Sequence, residues 1–406
     1  MARVPAPAYS VLLATAVLTT ALLTGPPAVA SGDAPHSDAS GSQPAGAGRA
    51  PTALTVQVAH TGLEIPWDLA FINSTQYLLT ERPGRLWLGN VNASIPLRRV
   101  TANLGDLWVS GESGLMGLAV DPRFSSNRLF YTCQTHNGPA GGPNDVRVVR
   151  WRLAGNGGSA TRVGQPVVRG IPRATYHTGC RILVGPDQKL WISTGDAGIG
   201  TVPQNRSNLG GKILRVNTDG SIPTNNPYAG RSGPIRYVWN WGHRNPQGLA
   251  LRPGTWQVYN SEHGPSRDDE INRVLRANNY GWDPIYPGGG GYNQNVPMTD
   301  TTKFPNAARA IWSSGAPTIA TSGIDFVAGS GWGSYSGNLF VALLKDSGVM
   351  AVRLNGAGNV VGTSRVPELA GTYGRLRTVR RAPDGSLYVL TANGGGADRV
   401  LRVTPN

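Results

Sequence analysis

Lysine is almost absent from this chain: of its 37 basic residues only Lys189, Lys212, Lys303 and Lys345 are lysines, and the rest are arginines. The formal net charge of +14 would suit a nucleic-acid partner. Yet only 15% of the residues are charged, the basic ones are scattered, and no run of Lys or Arg with interleaved aromatics occurs, so the basic stripe of a nucleic-acid binder is excluded. Cysteine is equally scarce. Cys133 and Cys180 are the only two, too few for a disulfide-stapled scaffold, and they form no haem-attachment motif, so no electron carrier of that kind is fused to the chain. In an exported protein an even count allows one bridge, and the sequence leaves bridged and free equally open. Long apolar runs are missing as well. After the first 30 residues nothing approaches the length needed to cross a bilayer, and no segment sustains a helical apolar period, which argues against a helical core.

The first residues are the exception. Residues 1–30 combine a lone Arg3, an apolar run from Val11 to Leu23 and Ala28-Val29-Ala30 ahead of Ser31, the charge, apolar core and small-residue cleavage pattern of a secretory signal. The protein is therefore expected to be secreted. Residues 31–53 are rich in Ala, Gly, Ser and Pro with few large apolar side chains, a composition that cannot bury enough surface to order itself and reads as a flexible leader. The remaining 54–406 could be two ordinary domains or one large all-β domain.

Repeats decide between them. The chain is rich in turn formers, with 55 Gly and 31 Pro, and six segments share a turn followed by a short strand pattern: STQYLLTER (74–82), SNRLFYTCQ (126–134), PDQKLWIST (186–194), PGTWQVYNSE (253–262), SGNLFVALL (336–344) and PDGSLYVLT (383–391). Their first apolar residues, Tyr77, Leu129, Leu190, Trp256, Leu339 and Leu387, are spaced by 52, 61, 66, 83 and 48 residues. Such intervals suit a four-stranded blade plus loop insertions, and the six copies imply an all-β, six-bladed β-propeller. A β-sandwich would not explain six spaced copies of one strand motif.

Polar chemistry is concentrated in GHRNPQGLAL (242–251) and YNSEHGPSRDDEINRVLRANNYGWD (259–283). These put His243, Arg244, Asn245, Gln247, Glu262, His263, Asp268, Asp269 and Glu270 on tight Gly- and Pro-punctuated backbone. A second concentration is RATYHTGCRILVGPDQKLWISTGDAG, where His177 precedes a strand and Asp196 follows the next one. A hydroxyl loses hydride only if something takes its proton. Histidine suits that role because its ordinary pKa lies near neutrality, and a carboxylate orienting the ring would complete the pair. By spacing alone, a loop histidine satisfying a backbone carbonyl is the commoner reading of such a pair.

These motifs resemble the quinoprotein glucose and sorbosone dehydrogenase family, soluble sugar dehydrogenases that use pyrroloquinoline quinone (PQQ). The resemblance runs from about 55 to 405 and is most specific in GHRNPQG and from SEHGP to NYGWD. It implies that His177 is the general base, with Asp196 orienting it, and that Arg244, Asn245, Lys345, Arg375 and Arg377 contact PQQ, Arg244 also serving catalysis. A cofactor with three carboxylates needs such cations, and Arg375 and Arg377, two apart on a strand, would share one face. The resemblance further implies a Ca²⁺ held by the main-chain carbonyls of Gly264 and Pro265, acting as a Lewis acid on the quinone. Asp269 is a candidate pocket residue, Trp312 either matches an aromatic near the pocket mouth or serves the core, and Asp268, Asp269 and Glu270 read either as a second calcium loop or as an ordered turn. Three positions depart from the family. Glu112 stands where the family has a glutamine, a carboxylate facing an anionic cofactor; Cys180 replaces a glycine; and Tyr176 replaces an acidic substrate contact, which turns the expectation away from glucose itself.

Three functions follow from these readings. One is a PQQ- and Ca²⁺-dependent dehydrogenase acting on an aldose or sorbosone-like sugar and passing electrons to an unidentified acceptor. The others are a calcium-dependent lactonase-type hydrolase and a secreted binding propeller without catalysis, since fold alone does not separate them.

Overall fold

Every one of the six repeated segments forms the second strand of an antiparallel meander. The computed structural model describes residues 53–140, 142, 144–286, 289 and 291–406, all of them in the unit Gly48–Asn406. The expected signal at 1–30, and the expected leader up to residue 52, lie outside the described residues. The repeat strands are Gln76–Glu81, Leu129–His136, Leu190–Thr194, Val258–Glu262, Leu339–Leu343 and Leu387–Thr391. Nearly all their residues are buried, because neighbouring sheets cover both faces, so they read as continuous runs of apolar and small residues rather than as an alternation. Trp256 is a departure: it lies outside the strand and is 74% exposed, and Val258 makes the first inward contact.

The all-β expectation holds. Among the described residues the strands form four four-stranded sheets and one nine-stranded sheet, and the latter is two meanders joined by a parallel step, Thr101 opposite Ser159 and Ala102 opposite Ala160. The meanders begin with the strands Pro66–Phe71, Leu115–Val120, Gly179–Val184, Pro246–Leu251, Thr321–Phe326 and Leu376–Arg381. Each first strand packs beside the next, and the last packs back on the first, which gives a propeller-like ring. Hydrogen bonds close it, because Leu54–Leu63 from the start of the described chain pairs with Asp398–Pro405 at its end, Leu54 opposite Pro405 and Val58 opposite Leu401. Separate apolar clusters fill the spaces between adjacent sheets, for example Phe130, Trp151 and Leu86 in one and Phe340, Val389 and Leu401 in another.

The bridge left open by the sequence is formed: Cys133 and Cys180 are disulfide-bonded, with Cα atoms 5.9 Å apart, and tie one meander to the first strand of the next. No helix of the described residues is long and apolar enough to cross a membrane.

One irregularity recurs around the ring. Each first strand shifts register within its opening residues, between Pro66 and Asp68, Leu115 and Leu118, Gly179 and Ile182, Pro246 and Gly248, Thr321 and Ile324, and Leu376 and Thr378. Bulges of this kind re-aim side chains near functional sites. Here the shifted stretches carry Trp67, Arg181, Gln247, Ser322 and Arg377.

Candidate active site

Antiparallel pairing sets the start of each first strand beside the end of the second, with Gly179 opposite Thr194, Pro246 opposite Glu262 and Leu376 opposite Thr391. The loops carrying Glu112, His177, Asp196, Arg244, Gly264 and Lys345 therefore gather at one end of the ring. His177 and Asp196 meet there as expected: His177 Nδ1 lies 2.8 Å from Asp196 Oδ1. Gly195 in the STGD turn makes the approach feasible, since a Cβ on it would sit 1.9 Å from the His177 carbonyl oxygen. His177 itself holds a left-handed φ of 53°, a backbone state that costs energy and concentrates at functional sites.

Asp196 is saturated with donors. Besides His177, its oxygens accept from Gly198 N at 2.8 Å, Trp282 Nε1 at 2.9 Å and Tyr292 OH at 2.5 Å. A carboxylate with this many donors stays an acceptor, so the proton between the two side chains belongs to His177 Nδ1 and the Nε2 lone pair is the free basic site. Tyr292 OH is also 3.3 Å from His177 Nδ1, and burial beside Asp196 raises its pKa, which keeps it a neutral donor. The sequence reading missed both Tyr292 and Trp282. Beneath them, the fully buried Lys212 donates to the carbonyls of Val202 (2.9 Å), Pro203 (3.0 Å) and Gly210, bracing the loop that follows Asp196. Burial pulls its pKa down to about 7 against the pull of Asp196.

Beyond the base lies a cluster of cations. Arg244 is buried over Trp282 at 5.7 Å, its Nη1 donating to the His263 carbonyl at 3.0 Å and its Nη2 to Gln294 Oε1 at 3.0 Å. Arg377 is buried too and donates to Gln247 Oε1 at 2.9 Å; burial pulls its pKa down to about 10, opposed by Glu112. Asn245 is fully buried, its Oδ1 accepting from Gly179 N at 3.0 Å. Glu112 faces this group, its Oε2 accepting from Gln247 Nε2 at 3.2 Å and Asn245 Nδ2 at 3.3 Å. The two arginines differ in burial: Arg377 is buried in the ring, while Arg375, one residue ahead of the strand, is exposed but near enough for its charge to act on Arg377. Lys345 is exposed, its Nζ 3.3 Å from Thr318 Oγ1.

Asp269 and Trp312 have other partners. Asp269 does not offer its carboxylate to the pocket: Oδ1 accepts from Gly264 N at 2.9 Å, and Oδ2 from Ile319 N and Ala320 N at 2.6 Å each, so it braces the loop carrying Gly264 and Pro265. Trp312 sits on the outermost strand of its sheet and packs against the apolar cluster of Tyr259, Ile271 and Phe326. The three neighbouring acids diverge. Asp268 pairs with Arg267 at 2.7 Å, while Glu270 is buried against Asn272 and Thr299. Among the described residues no three His, Cys, Asp or Glu side chains converge as a metal cage.

The cation cluster is short of acceptors. The Nε atoms of Arg244 and Arg377 are buried without a hydrogen-bond partner, as is that of Arg82, whose charge acts on Arg377 and whose Nη1 donates to the Gly111 carbonyl; His263 Nε2 is likewise unpartnered. Burial and the adjacent Arg244 and Arg377 hold the His263 pKa down to about 3, so that ring is neutral. Buried guanidinium N–H groups left unpaired are costly, and those of Arg244 and Arg377 point to an oxygen-rich anionic group as the missing partner.

The model of the family described as Glucose / Sorbosone dehydrogenase matches residues 63–402. The aldose sugar dehydrogenase YliI of Escherichia coli (strain K12) is 31% identical over 368 residues, 88% of this chain and 94% of that one. An uncharacterised protein of Synechocystis, slr1608, is 33% identical over 354 residues, 82% of this chain and 83% of its own length. The PQQ-bound form of an aldose sugar dehydrogenase from Streptomyces coelicolor superposes with a TM-score of 0.70 at 29% identity, covering 87% of this chain and 99% of the other.

Proposed function

Because this chain belongs to the glucose and sorbosone dehydrogenase family, we propose that it is a secreted, six-bladed PQQ- and Ca²⁺-dependent dehydrogenase that oxidises an aldose or sorbosone-like sugar and passes the electrons to a separate acceptor. One observation carries the reading. A histidine with a free Nε2, fixed by a saturated aspartate at 2.8 Å, stands beside buried guanidinium groups whose Nε atoms lack acceptors.

His177 Nε2 takes the proton of the sugar hydroxyl, and Asp196 holds Nδ1–H and favours the imidazolium that results. Arg244, Asn245 and Arg377 within the ring, and Lys345 and Arg375 at its edge, would hold the cofactor's oxygens, charge-assisted bonds being the strong ones. When bound, PQQ supplies the hydride acceptor for the sugar carbon, with Ca²⁺ on the carbonyls of Gly264 and Pro265 as its Lewis acid. The Asp269 carboxylate supports this step of the loop by taking the Gly264 N–H.

The test is thermodynamic coupling. PQQ affinity measured with Ca²⁺ and again with a chelator should differ, since each would supply ligands to the other and linkage makes the effect reciprocal. His177→Ala should lower turnover by roughly 10²-fold or more with PQQ affinity nearly unchanged. Lactone hydrolysis without PQQ would favour the calcium-dependent hydrolase, and binding without turnover or coupling would favour a non-catalytic propeller.

A further inference from the structure

We propose that the bridge between Cys133 and Cys180 positions the base: it holds a left-handed turn that sets the His177 ring against Asp196, and so governs turnover as well as stability. This rests on the dehydrogenase reading above. Between His177 and Arg181 the backbone enters the left-handed region three times, at His177 (φ 53°), Gly179 (φ 63°) and Cys180 (φ 79°). Glycine takes such values freely. In histidine and cysteine the Cβ crowds the following carbonyl, and the conformation persists only where the surroundings over-determine it.

The two strained residues have different anchors. His177 is held by Asp196 Oδ1, 2.8 Å from its Nδ1. Cys180, where the chain departs from its family's glycine, is fully buried in an apolar cluster with Trp67, Met116 and Ile182. Its anchor is Cys133, with the Cα atoms 5.9 Å apart. Cys133 in turn lies within the strand Leu129–His136, opposite Val148 of the neighbouring strand. The turn is therefore tied to the middle of a regular sheet rather than to another loop.

Arg181 grips the turn from the other side. The register shift falls between Gly179 and Ile182, so Cys180 and Arg181 are the residues inside it. Arg181 enters the ring, where its Nη1 lies 2.8 Å from Asp68 Oδ1 and its Nε donates to the Gln247 carbonyl at 3.0 Å. The backbone between has no slack: a Cβ on Gly117 would sit 2.2 Å from the Cys180 carbonyl oxygen, and one on Gly195 would sit 1.9 Å from that of His177. Relaxation of an untethered residue 180 toward negative φ cannot be absorbed in place and passes to His177, three residues away. A shift of about 1 Å at a catalytic group can cost about 10²-fold in rate.

The experiment compares two double variants, Cys133→Ser with Cys180→Ser and Cys133→Ser with Cys180→Gly. Both open the same loop and share its chain-entropy loss, but only the first keeps a Cβ in the left-handed turn. At saturating PQQ and Ca²⁺ the Ser variant should lose roughly ten- to a hundredfold in kcat, with the sugar KM within about threefold, whereas the Gly variant should stay within about threefold of wild type in both. Hydrogen exchange in the cofactor-free chain reads the turn itself. The amides of Gly179 and Arg181, bonded to Asn245 Oδ1 at 3.0 Å and Ser193 Oγ at 3.1 Å, should exchange roughly tenfold faster in the Ser variant than in the Gly variant. If the Ser variant alone fails to fold, the left-handed residue requires its tether, as proposed. Wild-type kcat and equal exchange in the Ser variant, equal losses of kcat in the two, or failure of both to fold would assign the bridge to stability alone and overturn the proposal. A loaded wild type that oxidises no sugar would remove the dehydrogenase reading, while the exchange comparison would still decide whether the bridge holds the turn.

Discussion

Replacing Asp196 by Asn tests the base most directly, because the carboxylate's surroundings leave the amide no good orientation. Oδ1 faces two donors, His177 Nδ1 and Gly198 N, each at 2.8 Å. Oδ2 faces Trp282 Nε1 at 2.9 Å and Tyr292 OH at 2.5 Å. If the amide NH₂ turns toward His177, the imidazole must move its proton to Nε2, and the lone pair that accepts the sugar proton is lost. If it turns the other way, it meets the indole N–H, a group that can only donate. Either way one buried donor loses its acceptor, at a cost of about 1–3 kcal/mol. That corresponds to a fall of a few degrees in Tm for a domain of this size. The first orientation removes most of the 10²- to 10⁴-fold contribution of a positioned base; the second keeps the base but loosens its ring. A kcat about 10²-fold down is therefore expected, with PQQ affinity within a factor of about two, since none of the donors around Asp196 belongs to the cation cluster. The assay is steady-state turnover of the PQQ- and Ca²⁺-loaded variant with an artificial acceptor, beside calorimetry for PQQ. A variant that turns over within threefold of wild type while bound to PQQ would show that Asp196 does not set the histidine's proton, and the base would have to be sought elsewhere.

Arg377→Ala and Lys345→Ala should each weaken PQQ by roughly ten- to hundredfold, the worth of a charge-assisted hydrogen bond, with Arg377 the larger because it is buried; calorimetry reads both, and unchanged affinity in the two would dissolve the cofactor site. Glu112→Gln keeps the shape and the amide partners but removes a negative charge opposite Arg377, so PQQ should bind more tightly, and a weaker complex would mean that the carboxylate positions the site rather than opposing the ligand. The double change of Cys133 and Cys180 to Ser opens a loop of sequence separation 47, for which chain entropy gives a loss of about 4 kcal/mol; denaturant midpoints check it, and a shift under about 1 kcal/mol would place the bridge's effect outside the unfolded state.

The fold was legible because its signal is local. The segments STQYLLTER and PDGSLYVLT announce a turn and a fully covered strand within nine residues, and repetition then supplies the architecture without any long-range contact being known. The one strand start misread, at Trp256, came from taking apolar character for burial: its side chain is 74% exposed on the turn, and nothing within PGTWQVYNSE separates a covering indole from a buried one.

The site was legible only where a motif carries both partners, as His177 and the STGD turn do within 20 residues. Its supports come from far apart in the chain. Trp282 reaches Asp196 across 86 residues, Gln247 reaches Glu112 across 135, and Arg377 reaches Gln247 across 130. No spacing rule encodes such contacts. They follow from the closed ring, which sets loops of different sheets at one end, and from the bulges, which break the period of two that a strand would otherwise impose. Arg375 and Arg377 show the effect directly. Alternation assigns them one face; the strand begins only at Leu376 with a register shift before Thr378, and Arg377 is buried against Gln247 while Arg375 is exposed. Asp269 errs in the opposite sense: an acid next to a glycine-proline loop looked like a pocket residue, but three backbone N–H groups with no other acceptor claim its oxygens. A side chain's chemistry could be read from the sequence here, but whether that chemistry remains available to a ligand depended on which backbone groups the fold had left unpaired around it.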